Sequence, residues 1–311
     1  MTKPAVIDAF NNPDTLKAAP ILFPAYDPSC TYTIARDARQ NFLRESPLPL
    51  SCTLALASWN LNDAKTINFK RREFNTHEYT IEVVSEAASI WDKDEFAWLG
   101  VYNLDFPDKK LHFARADNDG HKRGIGRHFG GLGVAIALAC KFEKVTVHAQ
   151  NVGAHSWAAA AFYADNPDRL RDDLALRIAP LRRYKTFDLE EPIEEAVRLS
   201  QSAEPGDLMR LARMPQRITL DKPDYRLGNK RHVQMIAKPD TNGQPTITVG
   251  QYFLLNQKYD AHIDLASEDQ IKHLGDYSRV PIRALAAAAV IPPTRPARRS
   301  LIPVVQMARQ P

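Results

Sequence analysis

A glycine-bearing loop in the middle of the sequence has the composition of an anion-binding site. Residues 117–126 (DNDGHKRGIG) separate a predicted strand from a predicted helix over 127–142. The first N–H groups of a helix lack intrahelical partners and lie at the positive end of its dipole, so phosphate binds there. Gly124 and Gly126 would let a pyrophosphate approach the backbone. The cations that could neutralise it are Lys122, Arg123 and Arg127. A turn with solvated basic residues before a core helix is the alternative.

The segments around this loop alternate between strand and helix patterns. Residues 96–104 and 111–116 are predicted strands joined by a turn, which favours a hairpin. Beyond the helix, residues 144–150 carry the β-branched side chains of another strand, and the alanine-rich residues 154–164 favour a helix. We predict that the strands over 111–116 and 144–150 run parallel, because the helix between them is long enough for a crossover.

The loop also carries a family resemblance. Residues 123–127 (Arg-Gly-Ile-Gly-Arg) resemble the acyl-CoA motif Q/R-x-x-G-x-G/A of the GNAT N-acetyltransferases, whose loop holds the pyrophosphate of acetyl-CoA. The resemblance covers residues 96–189; it departs from the family pattern at His121 and in the spacing of Asn151 and Tyr163. The cofactor-binding residues that it implies are Ala114, Ala116, Arg123, Gly124, Ile125, Gly126, Arg127, His128 and Asn151.

The same resemblance suggests how the chemistry would proceed. Ala161-Phe162-Tyr163 is similar to the family's A-x-x-F-Y segment, which implies that Tyr163 protonates the departing thiolate. Tyr163 could equally be a core aromatic residue. Backbone N–H groups at the end of the strand over 111–116 could polarise the acetyl carbonyl oxygen. The candidates for the base that deprotonates the amine are Glu95, Asp117 and His112.

We therefore expect an enzyme that transfers the acetyl group of acetyl-CoA to an amine by direct attack in a ternary complex, without a metal. The acceptor would be a small molecule or a protein. Two alternatives stay open. One is a non-catalytic interaction protein with a degenerate GNAT-like core. The other is a Rossmann-type oxidoreductase, but its G-x-G-x-x-G pattern would need a glycine one place before Gly130 and an acid at Gln150.

Length and composition predict a soluble protein of two domains, with 311 residues of which 44% are hydrophobic and 25% charged. The expected class is α+β. A GNAT-like mixed, mostly antiparallel sheet with helices on both faces would occupy residues 51–189, and a smaller α+β unit residues 190–280. Residues 1–50 would be an irregular proline-rich lead-in, and 281–311 a disordered Arg/Pro tail.

Further elements are predicted from local patterns. Residues 51–58 and 79–84 are predicted strands, the second with an alternating pattern. Residues 35–44 favour a helix, and 174–178 with 183–189 predict a closing hairpin. The remaining predicted helices are 192–202, 206–213 and 267–277, and the remaining predicted strands are 217–220, 232–237, 246–253 and 261–265.

The distribution of charge and cysteine limits the function classes. The six arginines after residue 278 exceed the net charge of +4, so the preceding residues are close to neutral. Nucleic acid would therefore bind only weakly, through the tail. No run of 18 apolar residues and no secretory signal occur, so we expect a cytoplasmic protein without a membrane partner. The three cysteines fit no zinc or disulfide pattern, and Cys140 is predicted to be a small core residue. His148 and His155, at no recognised metal-ligand spacing, are predicted to be structural.

Overall fold

The structure, a computed structural model, describes residues 31–59, 64–72, 75–85, 98–118, 125–184, 187–220, 227, 233 and 236–290. The protein is α+β with a mixed, mostly antiparallel sheet, as predicted. Contacts divide the chain into two compact units, which are described separately below. The first contains the residues up to Thr146 and those from Asp264 onward; the second is Val147–Ile263.

The strands and helices below are numbered in chain order. The described strands are β1 (Thr31–Ile34), β2 (Ala64–Arg72), β3 (Asn75–Ser85), β4 (Trp98–Asp105), β5 (Lys110–Asn118), β6 (Lys144–Asn151), β7 (Tyr163–Ala164), β8 (Arg217–Thr219), β9 (Lys238–Pro239), β10 (Pro245–Thr248) and β11 (Gln257–Asp264). The described α-helices are α1 (Arg36–Glu45), α2 (Leu50–Ser58), α3 (Ile125–Ala139), α4 (Val152–Ala159), α5 (Pro167–Ala175), α6 (Ile178–Leu181), α7 (Glu190–Ser200), α8 (Pro205–Ala212), α9 (Val249–Leu254), α10 (Glu268–Ser278) and α11 (Ile282–Val290).

The sheet of the first unit is an antiparallel meander of β2, β3, β4 and β5, to which β1 adds in parallel beside β2. One face of this meander is aromatic and packs against helices. Phe42 of α1 contacts Phe69 and Tyr79 edge to face, and Phe129 of α3 stacks on Tyr102 with ring centroids 4.0 Å apart. These rings hold α1 and α3 on the same side of the sheet.

The opposite face of this meander is polar. Thr80 on β3 donates a hydrogen bond of 3.0 Å to Asn103 on β4, and both side chains are almost fully buried. Lys70 on β2 pairs with Glu82 on β3. Alternation of apolar and polar residues along each strand produces these two faces.

The first residues of β6 pair with β5 in parallel. The Glu143 N–H donates to the Lys109 carbonyl at 2.8 Å, and His112 Nδ1 lies 3.0 Å from Thr146 Oγ1. Both pairs have the same separation in sequence, so the two strands advance in the same direction. The prediction of parallel strands joined by a helix is confirmed for these residues, and α3 is the connecting helix.

In the second unit, β11 lies between β6 and β7, and β10 lies between β8 and β9 in a separate three-stranded sheet. The buried Arg177 guanidinium donates hydrogen bonds to the carbonyls of Tyr252 and Leu255, at the end of α9. The last carbonyls of a helix are those that lack intrahelical partners, and the arginine binds two carbonyls at this helix end.

Several local predictions were wrong. Residues 51–58 belong to α2 and not to a strand, and the hairpin predicted around Pro180 is instead the end of α5 followed by α6 and a 3₁₀ turn. The strand predicted over 246–253 ends at Thr248, and α9 begins at the next residue. The helix predicted over 154–164 ends at Ala159.

The predictions for the two ends of the chain were wrong in part. Within the lead-in, Thr31–Ile34 form a strand and α1 matches the predicted helix over 35–44. Within the predicted disordered tail, Ile282–Val290 form α11, with Leu285 fully buried. Residues 291–311 lie outside the described residues.

Lys141 lies just after α3 and has a left-handed conformation, with φ of +59°. Phe142 N–H bonds to the Ala137 carbonyl and Lys141 N–H to the Leu138 carbonyl, which is the Schellman pattern. Because a β-carbon is unfavourable at this φ, we expect Lys141→Gly to raise the free energy of unfolding by about 1 kcal/mol. Denaturant unfolding measures the change. Lys272→Gly, inside α10, is the control and should lower stability, since glycine is a poor helix former.

Candidate functional site

A β-bulge interrupts β5 beside β4. Val101 pairs with Arg115 and the next residue, Tyr102, pairs with Phe113, so Ala114 is an extra residue on β5. Ala114, Arg115 and Ala116 are all exposed, which breaks the alternation of the strand. A bulged residue leaves the hydrogen-bond ladder, and bulges are common beside active sites because they redirect backbone groups. Two of the predicted site residues, Ala114 and Ala116, therefore lie at or next to this bulge.

The start of α3 has an open backbone. Gly126, its second residue, is exposed, and a β-carbon added there would meet no atom of the described residues within 4 Å. Arg127 is exposed, and its guanidinium lies 5.3 Å from the centre of the Tyr277 ring. His128 stacks on Trp59, and its Nε2 lies 3.0 Å from the Trp59 carbonyl oxygen. Both side chains of this first turn thus lie against aromatic rings.

Close packing fixes α3 against the sheet of the first unit. The Tyr102 hydroxyl donates a 3.0 Å hydrogen bond to the Phe129 carbonyl. A β-carbon at Gly133 would lie 2.5 Å from Phe113 Cζ, so only glycine permits this approach. Glycine is a poor helix former, and packing on β4 and β5 accounts for its presence at position 133 inside α3.

Several predicted site residues are not described by the structure. Arg123 and Gly124, which carry the resemblance, and Glu95, the predicted base, lie outside the described residues. Ile125 is the first residue of α3. Of the other base candidates, Asp117 belongs to β5, where its Cα is paired with that of Leu99, and the partly exposed His112 contacts Thr146.

In the second unit, Asn151 ends β6 in a strained conformation, with φ of +55° and ψ of −126°. Its carbonyl accepts a hydrogen bond from the N–H of Asn256, which also has a positive φ of 60°. Non-glycine residues seldom adopt a positive φ, and such outliers concentrate at functional sites.

Tyr163, the predicted general acid, is not at a helix end: it lies in β7, where its Cα is paired with that of His262 on β11. Its side chain is partly exposed. The neighbouring aromatics form the core instead, since Phe162 is fully buried and contacts the buried Trp157 with ring centroids 5.0 Å apart. The alternative that Tyr163 is a core residue is therefore disfavoured.

Two histidines of the second unit differ sharply in environment. His155 donates to the Ala212 carbonyl at 2.9 Å, and burial lowers its pKa, so it stays neutral and structural as predicted. His148 instead projects from the exposed side of β6, with Nδ1 2.8 Å from Asp260 Oδ1. The sequence did carry a signal for this, because alternation with Val147 and Ala149 places His148 on the opposite side from the core.

The cysteine and metal predictions can be compared with the described residues. Cys140 is buried, and burial raises the pKa of its thiol to about 12, which suits a core residue and not a nucleophile. Within the described part of the chain, no cluster of three or more His, Cys, Asp or Glu side chains has the arrangement of a metal site.

Comparison of the chain with models of protein families, with curated proteins and with solved structures found no match. Among the helices that the structure describes, none is both long and apolar enough to cross a membrane.

Proposed function

We propose that the protein is an N-acetyltransferase that uses acetyl-CoA as co-substrate and an amine as acceptor. The observation that carries this proposal is the bulge at Ala114 in β5, the strand that precedes the open, glycine-bearing start of α3. Acetyl-CoA offers a target for each of these groups. A helix N-terminus can bind its pyrophosphate, and a redirected backbone N–H can bind the oxygen of its thioester carbonyl.

The first unit would bind the cofactor through backbone groups. N–H groups in the first turn of α3 would bind the pyrophosphate, with Gly126 leaving room for its approach and Arg127 adding charge. An N–H at the bulge of β5 would donate to the acetyl carbonyl oxygen, where negative charge develops as the amine attacks. Because these donors belong to a packed strand and helix, little reorganisation would accompany the reaction.

For the second unit, the resemblance supplies two roles. Tyr163 would protonate the thiolate that leaves as CoA, and its side chain is partly exposed. Asn151 would contact the cofactor at the end of β6.

The fold does not favour the oxidoreductase alternative. A Rossmann unit has its glycine loop after a strand of a mostly parallel sheet. Here β5 has an antiparallel neighbour in β4, and β3 and β2 continue the antiparallel order. No observation on the described residues singles out an interaction partner for the non-catalytic alternative.

Calorimetric titration with acetyl-CoA tests the proposal at Gly126. Gly126→Val would place a branched side chain where phosphate approaches the helix, so we expect at least tenfold weaker binding. The fold should be retained, because none of the residues that the structure describes has an atom within 4 Å of the added β-carbon and valine is a better helix former than glycine.

Gly206→Val is the matched control. Gly206 is also the second residue of a helix, α8, and its added β-carbon would also be more than 4 Å from any atom in the described part of the chain. This control should bind acetyl-CoA like the wild type. Unchanged affinity in Gly126→Val would exclude the start of α3 as the phosphate site, and a wild type that does not bind acetyl-CoA would refute the proposed function.

A further inference from the structure

The outer side of β11 in the second unit carries two histidine–aspartate pairs. Tyr259, Ala261 and Ile263 are buried, so Asp260 and His262 project to the opposite side of the strand. Asp260 pairs with His148 of β6 at 2.8 Å, and His262 pairs with Asp165, which follows β7, at 2.5 Å. None of these four side chains belongs to the core, so packing alone does not account for them.

The pair of His148 and Asp260 has the geometry of an oriented base. The carboxylate lies at Nδ1 and thereby favours the tautomer that carries its proton there, which leaves Nε2 as the basic nitrogen on the far side of the ring. The His148 side chain is 52% exposed, so a substrate nitrogen can reach it. A base that a third group holds in orientation is the arrangement that enzymes use to activate a nucleophile.

The same side of β11 also presents the proposed acid. Tyr163 is directly opposite His262, and residues opposite each other on paired strands project to the same face. The strands β6, β11 and β7 are neighbours in this order. On the face that is turned away from the core, an imidazole therefore lies on β6 and a phenol on β7. Transfer of an acetyl group from a thioester to an ammonium group can use one group as the base and the other as the acid.

We infer that His148 is the general base of the proposed acetyl transfer and that Asp260 is its positioning residue; this inference rests on the proposed function. His148 Nε2 would take a proton from the acceptor ammonium and later release it to solvent. The neutral amine would attack the acetyl carbon, a C–N bond would form and the C–S bond would break. Tyr163 would give its proton to the sulfur and recover one from the nitrogen, so the products are an amide, CoA thiol and one proton.

The test is the pH dependence of CoA release from acetyl-CoA, with spermidine, ethanolamine and a lysine-containing peptide as amine probes. We expect His148→Gln to lower kcat/KM about 100-fold and to abolish the acidic limb of its pH profile, with unchanged affinity for acetyl-CoA. Added imidazole should restore part of the activity of His148→Ala, because the site is exposed. Asp260→Asn should lower the rate by a smaller factor, because it removes only the group that orients the imidazole.

The control is His77→Gln in the first unit. His77 is also an exposed histidine paired with a carboxylate, 2.9 Å from Glu45, and its loss should leave the profile unchanged. Two results would overturn the base assignment: a wild-type pH profile in His148→Gln, or no imidazole rescue of His148→Ala. In either case, acetyl transfer by the wild-type protein would still support the proposed function. If the wild type transfers no acetyl group to any probe, the base assignment falls together with the proposed function.

Discussion

Tyr163→Phe is expected to lower the turnover number roughly 10- to 1,000-fold while the affinity for acetyl-CoA stays nearly constant, the pattern of a lost general acid. Without its proton, the departing thiolate must leave as an anion, which raises the barrier to breakdown of the tetrahedral intermediate. Because the side chain is partly exposed and keeps its ring, the melting temperature should hardly change. Steady-state kinetics and thermal unfolding on the same variant measure both quantities.

Tyr184→Phe is a matched control for this change. Tyr184 is another partly exposed tyrosine of the second unit, with its ring 5.9 Å from that of Tyr252. It should keep the wild-type turnover number. An unchanged turnover number in Tyr163→Phe would remove Tyr163 from the mechanism and leave proton delivery to water, since Phe162 and Trp157 are buried and carry no suitable acid.

Gly250→Ala is expected to lower the free energy of unfolding by about 2–3 kcal/mol, the largest effect on stability among the substitutions considered. The added β-carbon would lie 2.2 Å from the Leu211 carbonyl oxygen and 2.8 Å from that of Ala212. Both atoms belong to the backbone at the end of α8, so no side-chain rotation relieves the clash.

Gly206→Ala supplies the comparison within the same unit, because its β-carbon meets nothing within 4 Å among the residues described. Its stability should stay within about 0.5 kcal/mol of the wild type or rise slightly. Equal unfolding free energies for the two alanine variants, from denaturant titration, would show that α9 does not pack on α8 as closely as described.

Local signals in the sequence sufficed for much of the first unit. The hairpin of β4 and β5, the connecting helix α3 and the start of β6 were predicted because their apolar periodicity and turn residues agree. The prediction failed at α2, where alternation over residues 53–57 resembles a strand. The helical spacing of the buried residues Leu50, Thr53, Leu54 and Ala57 was also present, and tertiary packing decides between the two patterns.

At β10 and α9 the deciding signal was present but was given too little weight. Thr248 and Gln251 form a capping box, with the Thr248 hydroxyl accepting from the Gln251 N–H and the Gln251 side chain accepting from the Thr248 N–H. This motif ends the strand and starts a helix within a run of β-favouring residues.

The candidate site was only partly accessible from the sequence. A helix start with glycine is a local pattern, but the bulge at Ala114 depends on how β4 and β5 pair, which no residue type in β5 specifies. The pair of His148 and Asp260 joins residues 112 positions apart, so only the fold brings them together. Contacts of this kind require a topology before they can be predicted.

The division into units determines when each unit is complete during synthesis on the ribosome. Helix α3 belongs to the first unit, yet its neighbours α10 and α11 are made only after the whole of Val147–Ile263. A β-carbon at Gly131 of α3 would lie 2.6 Å from Ser278 Oγ, so these helices form a close fit once all are present. At ordinary rates of synthesis, the side of α3 that faces α10 and α11 therefore stays uncovered for on the order of ten seconds. Apolar surface that is transiently exposed in this way is the kind that chaperones bind.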